Sequence, residues 1–349
     1  MWTIVRSKQQ PSRRRRAASS SCSTSSATPV PAQVSVSGKS VTSEIRALRK
    51  AAQALRRLPF VREDVVLPLR RFIGSHSESL MGIEIVALGI GPFLRNESRT
   101  GFLQMALLLV VQSECELLAR KLAKTRLETS DEEHCRGSTS QSAGVKTIFF
   151  DPTAIEVHKK CCANLGIVVE EHNLYGAYTP SGPHVLLIAY LPHIPWILLR
   201  NLFVSNLKHS GVATWGGPAC SHELEDLPLR RTLVIGNDLN ERLCMSSGLL
   251  EKMIPFLKFD KLHVCGGNRH ASRRSSGSNN DTFEGDDIEE GLMGGSSLGD
   301  LGGISKYDVR HAFSDIAVMQ LNKECEPLLT SELRRMQIPP IAREGTDVV

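Results

Sequence analysis

The sequence predicts an α/β fold: a doubly wound, mostly parallel, Rossmann-like sheet with helices on both faces. Three observations predict it. Short continuous apolar runs recur between residues 81 and 243, as strands buried on both faces require. Segments of helical length separate those runs. The runs end in Gly, Asp, His or Asn, and sheets of this kind place ligands outside the carboxyl ends of their strands.

Taken in order, residues 1–42 are rich in Ser, Ala, Pro and Arg and are expected to be a disordered tail, because they cannot bury enough apolar area to offset ordering entropy. Arg13, Arg14, Arg15 and Arg16 admit three readings: a nuclear-localisation cluster, an organelle transit peptide, or a solvated basic tail. Residues 43–58 form an amphipathic helix with Ile45, Leu48, Leu55 and Leu58 on one face, ended by Pro59. Residues 83–88 are a strand closed by Gly89-Ile90-Gly91-Pro92. Residues 98–125 are a long helix, apolar nearly all round over 102–111 and therefore buried. Residues 128–144 are a polar surface loop.

Residues 146–150 are a second strand ending at Asp151-Pro152, and 153–165 the next helix, stopped by Gly166. Strands follow at 167–171 and 185–190, the latter leading into Pro192-His193-Ile194-Pro195. A helix at 194–207 and a fifth strand around 233–235 come next, then Gly236-Asn237-Asp238 and a helix from about 239. Residues 266–303 hold an excess of Gly, Ser, Asn and Asp and read as a flexible insertion. An apolar run at 312–321 reads as a closing strand. The expected organisation is a tail at 1–42, a helical segment at 43–80, an α/β domain at 81–265, the insertion at 266–303, the closing strand at 304–325 and a C-terminal tail at 326–349.

Composition limits the function classes. Aromatic content of 5% argues against an aromatic-lined sugar or single-strand nucleic-acid groove. Much of the net charge of +5 lies in the first 43 residues, so the folded part is expected to be near neutral, with no phosphate-binding stripe or direct nucleic-acid motif. The nine cysteines follow no regular spacing and read as reduced thiols. The most apolar window, 185–203, contains Pro192, His193, Pro195 and Arg200 and reads as strand, loop and helix rather than a membrane span.

The candidate ligand residues sit in the strand-end loops. Gly89 and Gly91 let backbone amides approach a phosphate or ribose, or simply form a tight turn. The dinucleotide fingerprint would want glycine at Leu94, and Pro92 removes a donor. Asp151 either holds ribose hydroxyls or caps the next helix ahead of Pro152. Gly236 and Asn237 are further candidates for cofactor binding. His193, between two prolines, is the candidate catalytic group: a base, a metal ligand or a hydrogen-bond partner. His158, Cys161 and Cys162 share a helix face and read either as metal or haem ligands or as core. No metal centre is assigned. Glu170-Glu171 reads as a strand edge.

In order, Leu88-Gly89-Ile90-Gly91, Ser98-Arg99, Gln104-Met105-Ala106-Leu107-Leu108, Phe150-Asp151-Pro152, Leu165-Gly166, Tyr190-Leu191-Pro192-His193, Asn201-Leu202, Ile235-Gly236-Asn237 and Ala312-Phe313-Ser314-Asp315 resemble the sensitivity-to-red-light-reduced family and its SRR-one-like domain. The segment Glu171-His172-Asn173-Leu174-Tyr175-Gly176 departs from the family pattern. The resemblance implies a regulatory protein of cytoplasm and nucleus. It points to circadian clock input, light signalling, transcription or haem-linked regulation through protein partners, with no established reaction. The alternative is an enzyme dependent on S-adenosylmethionine or a nucleotide. The inferred sheet order, the Gly-rich first loop and the acid ending the second strand resemble S-adenosylmethionine-dependent methyltransferases. In that reading Gly89 and Gly91 approach the cofactor, Asp151 holds its ribose and His193 lies beside the substrate. A third reading is a haem sensor built on His158 or His193.

Overall fold

A computed structural model describes residues 38–129, 144–207, 227–240, 248–264 and 305–343. The expectations for residues 1–37 of the basic tail, for most of the polar loop at 128–144, for the insertion at 266–303 and for the helix after residue 240 lie outside the described residues; residues 38–42, expected in the tail, instead open the first helix, where Val41 is buried.

Seven strands form one sheet: β1 (Gly82–Leu88), β2 (Gly144–Phe150), β3 (Ile167–Val169), β4 (Val185–Leu191), β5 (Thr232–Asn237), β6 (Leu257–Lys261) and β7 (Ile316–Leu321). Their order is β3-β2-β1-β4-β5-β7-β6. The first five run parallel, whereas β7 is antiparallel to both β5 and β6. The chain moves outward from β1 to β3, then returns to place β4 on the other side of β1. That reversal makes the β1/β4 boundary the topological switch point.

The strands are apolar on both faces because both faces are covered. Ile85 and Ala87 enter one core and Val86 and Leu88 the other, the alternation a pleated strand imposes. The first core takes buried residues from α1 (Gly38–Leu55), α2 (Leu67–Gly74), α3 (Arg99–Thr129), α4 (Glu156–Asn164) and α7 (Lys306–Phe313). The second takes them from α5 (Trp196–Leu207), α6 (Gly248–Met253) and α8 (Glu326–Arg335). Burial also accounts for the apolarity of α3. Its stretch Arg99–Arg126 is long and apolar enough to cross a membrane, yet 67% of its most apolar window is buried inside the protein.

Several expectations change. The segment at 43–80 does not stand apart from the domain. Beyond α1 it forms a π-helical turn at Val61–Val66 and then α2, and Leu48, Val61, Leu69 and Phe72 lie in the first core. The expected closing strand at 312–321 divides, since Ala312 and Phe313 end α7 and only Ile316–Leu321 pairs. β6 is an addition to the expected strands; it is short and carries Lys258 and Lys261, the charged character by which sheet edges avoid unwanted pairing. The C-terminal region is not a loose tail throughout, because Leu329 and Leu333 bury α8 against the second core. α4 starts at Glu156 rather than near residue 153, for a reason found in the site.

Candidate functional site

The loops following β1, β2, β3 and β4 enclose a cleft of about 330 Å³, within the size range of small-molecule sites. Gly89, Gly91 and Pro92 come from the first loop, Asp151 and Thr153 from the second, Asn173, Gly176 and Tyr178 from the third, and His193 and Pro195 from the fourth. The cleft stands at the β1/β4 switch point, outside the carboxyl ends of the strands.

The glycines have separate duties. Gly89 and Gly91 both have positive φ, 70° and 73°. A Cβ on Gly89 would meet Ile194 Cγ2 at 2.8 Å, so this glycine lets the first and fourth loops touch. A Cβ on Gly91 would meet nothing within 4 Å; this position faces open space. The close helix approach comes from a glycine with no motif to mark it in the sequence. At Gly101, in the first turns of α3, a Cβ would lie 2.1 Å from the Pro92 carbonyl oxygen.

Asp151 clamps the first two loops. Its Oδ2 accepts the Gly91 N–H at 2.7 Å. Its Oδ1 accepts the Thr153 N–H at 2.8 Å and the Thr153 hydroxyl at 2.5 Å. The helix-cap reading is therefore corrected: the carboxylate closes a turn at Thr153, and Ile155 becomes the N-cap of α4. A carboxylate offers about four acceptor positions, so one remains for a ligand hydroxyl.

His193 is held in a left-handed backbone conformation, φ 53°. With Tyr175, also at φ 53°, it is one of two such non-glycine residues among the described residues, and both belong to loops that form the cleft. Backbone outliers of this kind cluster at functional sites. His193 Nε2 donates to the Ala312 carbonyl at 3.1 Å, which leaves Nδ1 without a protein partner among the described residues. Gln104, buried on α3, reaches the same carbonyl. Three pieces of the family pattern, at Gln104, His193 and Ala312, thus meet at one oxygen.

Asn173 Oδ1 accepts the Tyr175 N–H at 2.8 Å, leaving its amide donors without a partner among the described residues. The Tyr178 hydroxyl is buried with no partner among the described residues, and burial followed by the nearby Glu170 carboxylate raises its pKa well above that of free tyrosine. Neither residue is a site candidate on sequence grounds. Their only sequence signal is the turn-rich stretch after the third strand. Glu170 caps that turn by accepting the N–H groups of Glu171 and His172, and the His172 amide is the main cause of its lowered pKa.

Gly236 and Asn237 are not brought into the cleft. Gly236 permits a close approach of β5 to the Leu191 carbonyl, 3.0 Å from its would-be Cβ. Asn237 Nδ2 donates to the Ile194 carbonyl at 2.8 Å and so steadies the His193 loop from outside. His158 does not fit a metal or haem ligand. Its Nε2 bonds Glu97 at 2.6 Å, its Nδ1 accepts the Ile155 N–H, and the side chain is packed against Phe93. Cys161 and Cys162 are fully buried, and burial raises their thiols to about 11 and about 12.

The ordered loops, the Gln104–His193–Ala312 junction and the sheet that carries them fall within one family match. The model of the SRR1 domain matches residues 69–319. The chain belongs to the SRR1 domain family. The match begins inside α2 and ends inside β7, so the SRR1 domain takes in all five parallel strands, the cleft and most of the reversed strand. Comparison with curated proteins and with solved structures finds no match.

Proposed function

We propose that the cleft of this SRR1 domain protein binds a nucleoside-containing small molecule, S-adenosylmethionine first among them, and that its regulatory role runs through that binding. The observation that carries this reading is the cleft at the β1/β4 switch point of a sheet ordered β3-β2-β1-β4-β5-β7-β6 with β7 reversed. The methyltransferase reading of the sequence rests on the inferred sheet order, a glycine-rich first loop and an acid ending the second strand, and the last two of these line this cleft.

The residues present fit such a ligand. Gly91 leaves open space, Asp151 keeps one acceptor position and Asn173 keeps its amide donors among the described residues. Asp151 would accept a ribose hydroxyl, and Asn173 would face the base or ribose. S-adenosylmethionine supplies an activated methyl group when bound. His193 would stand beside a second substrate, its ring oriented through Nε2 and its Nδ1 free to accept a proton. Haem is less favoured, because His158 has both ring nitrogens engaged and His193 has Nε2 committed to Ala312. Regulation of rhythm, light response or transcription would follow from occupancy of this cleft and the partners it recruits.

Thermal denaturation of the full chain with S-adenosylmethionine, its demethylated product, nucleotides, dinucleotides and haem tests this. A ligand at 100 times its dissociation constant adds about 2.7 kcal/mol. The expected response is to the adenosine-containing compounds, lost in Gly91→Val. No response to any of them at saturating concentration would overturn the reading.

A further inference from the structure

We infer that the solvent face of α1 is a docking surface for the phosphate backbone of nucleic acid. The charge of this chain is strongly polarised. Residues 1–37 hold six Lys and Arg and no acid, and residues 38–74 hold nine Lys and Arg against three acids. Since the whole chain carries only +5, the remainder is net acidic. The near-neutral body expected from the sequence is thus an average of a basic N-terminal layer and an acidic rest.

The fold puts part of that charge in register. Val41, Ile45, Leu48 and Leu55 of α1 are buried in the first core. Arg46, Arg49 and Lys50 are exposed on the opposite side, at the three- and four-residue spacing that aligns side chains along one helix face. None of the three has an ion-pair or hydrogen-bond partner among the described residues, whereas Glu44 on the same helix is paired with Arg95. Like charges at these spacings destabilise a helix, and a bound polyanion would offset that repulsion. Arg49 also borders a shallow groove of about 380 Å³ between α1 and α3, floored by Leu109, Val110 and Leu165. The acid on its rim, Glu116, is paired with Arg120.

A nucleic acid fits this surface better than a lipid bilayer does. Membrane-surface helices bury their apolar face among acyl chains, but here that face is already buried in the protein. None of the exposed large hydrophobic residues among the described residues lies on α1. Basic groups on one helix face with no aromatic platform predict phosphate contacts, tolerant of sequence and sensitive to salt.

The test is fluorescence anisotropy of the full chain with labelled duplex DNA and single-stranded RNA over a range of salt concentrations. The variants are R46A/R49A/K50A and, separately, alanine at the four arginines 13–16. The stripe variant should keep the wild-type melting temperature and bind about tenfold more weakly, with a salt slope on duplex shallower by roughly 0.9 for each phosphate that it leaves unneutralised. Wild-type affinity and slope in a folded stripe variant would overturn the proposal, as would loss caused by the tail variant alone. Binding to phosphatidylserine vesicles with none to either nucleic acid would overturn it in favour of a membrane.

Discussion

Asn201 and Ala342, 141 residues apart, pair as two peptide groups would. The Asn201 Oδ1 accepts the Ala342 N–H at 3.0 Å and its Nδ2 donates to the Ala342 carbonyl at 2.8 Å. The same Nδ2 donates to the Tyr175 carbonyl at 2.9 Å. Asn201 is completely buried. One side chain therefore ties the C-terminal segment around Ala342 to the loop that supplies Asn173 and Gly176 to the cleft. Losing it leaves partly buried backbone groups unpaired, at the low end of about 1–3 kcal/mol each. Asn201→Ala should destabilise the protein by about 2–3 kcal/mol in urea denaturation. Truncation after Arg335 should be non-additive with it, since the two changes remove one interaction. Additive losses would show that the pairing contributes nothing.

The three glycines around the first loop should respond to alanine in a definite order. Gly91→Ala meets no atom, so its cost is the left-handed backbone alone, roughly 1–2 kcal/mol. Gly89→Ala adds a 2.8 Å clash with a flexible Ile194 methyl. Gly101→Ala would normally stabilise a helix interior by roughly 0.5–1 kcal/mol, but here it collides with the fixed Pro92 carbonyl at 2.1 Å. The expected order of destabilisation is Gly101, then Gly89, then Gly91. Urea midpoints with equal slopes check it; a stabilised Gly101→Ala would mean that the α3–loop approach is looser than described.

The sequence already carries the parallel half of the sheet. Continuous apolar runs such as 185–190 are legible because a strand covered on both faces needs no alternation, and the turn residues that close them mark the cleft. The roles of those turn residues are less legible. Asp151-Pro152 has the local form of a helix cap, and only the three-dimensional approach of Gly91, 60 residues earlier, turns the carboxylate toward another loop. Gly101 resembles any other helical residue in the sequence, because the Pro92 carbonyl that requires it belongs to a loop folded back on the helix. β6 and α8 lack long apolar runs, since one is a charged edge and the other buries a narrow stripe.

The buried thiols set an alkaline limit on stability. Cys161 and Cys162 are raised to about 11 and about 12 from an unfolded value near 9, chiefly by burial. Burial raises Cys115 further still, and Tyr190 moves well above 10 for the same reason. A group whose folded pKa is raised contributes stability that is complete below the unfolded pKa and is lost as pH climbs toward the folded one. Melting temperature should therefore hold up to pH about 9 and fall steadily above it. Cys162→Ala should lessen that fall. In the native protein at neutral pH, iodoacetamide should modify the half-buried Cys325 before Cys115, Cys161 or Cys162. Rapid native labelling of Cys161 or Cys162 would contradict their burial.

Glu114 joins the N-terminal helical layer to α3. Its fully buried carboxylate bonds Arg56, just beyond α1, through Oε1. Through Oε2 it bonds Arg70 of α2, at 2.7 and 3.1 Å. The two arginine side chains are 44% and 47% exposed, so the partners are unequal. Removing the acid frees guanidiniums that water can solvate; removing both arginines strands a buried charge. Breaking a buried pair costs about 3–5 kcal/mol when the remaining charge is uncompensated. R56A/R70A should fall in that range, and Glu114→Gln should cost about half as much, because charged hydrogen bonds contribute about 1.5–3 kcal/mol. Adding Glu114→Leu to R56A/R70A should restore most of the loss, since an apolar residue then replaces the stranded carboxylate. Urea denaturation of the four proteins decides it. If the triple variant is no more stable than R56A/R70A, the loss comes from packing of the arginine stems, and the carboxylate is not what holds this layer to α3.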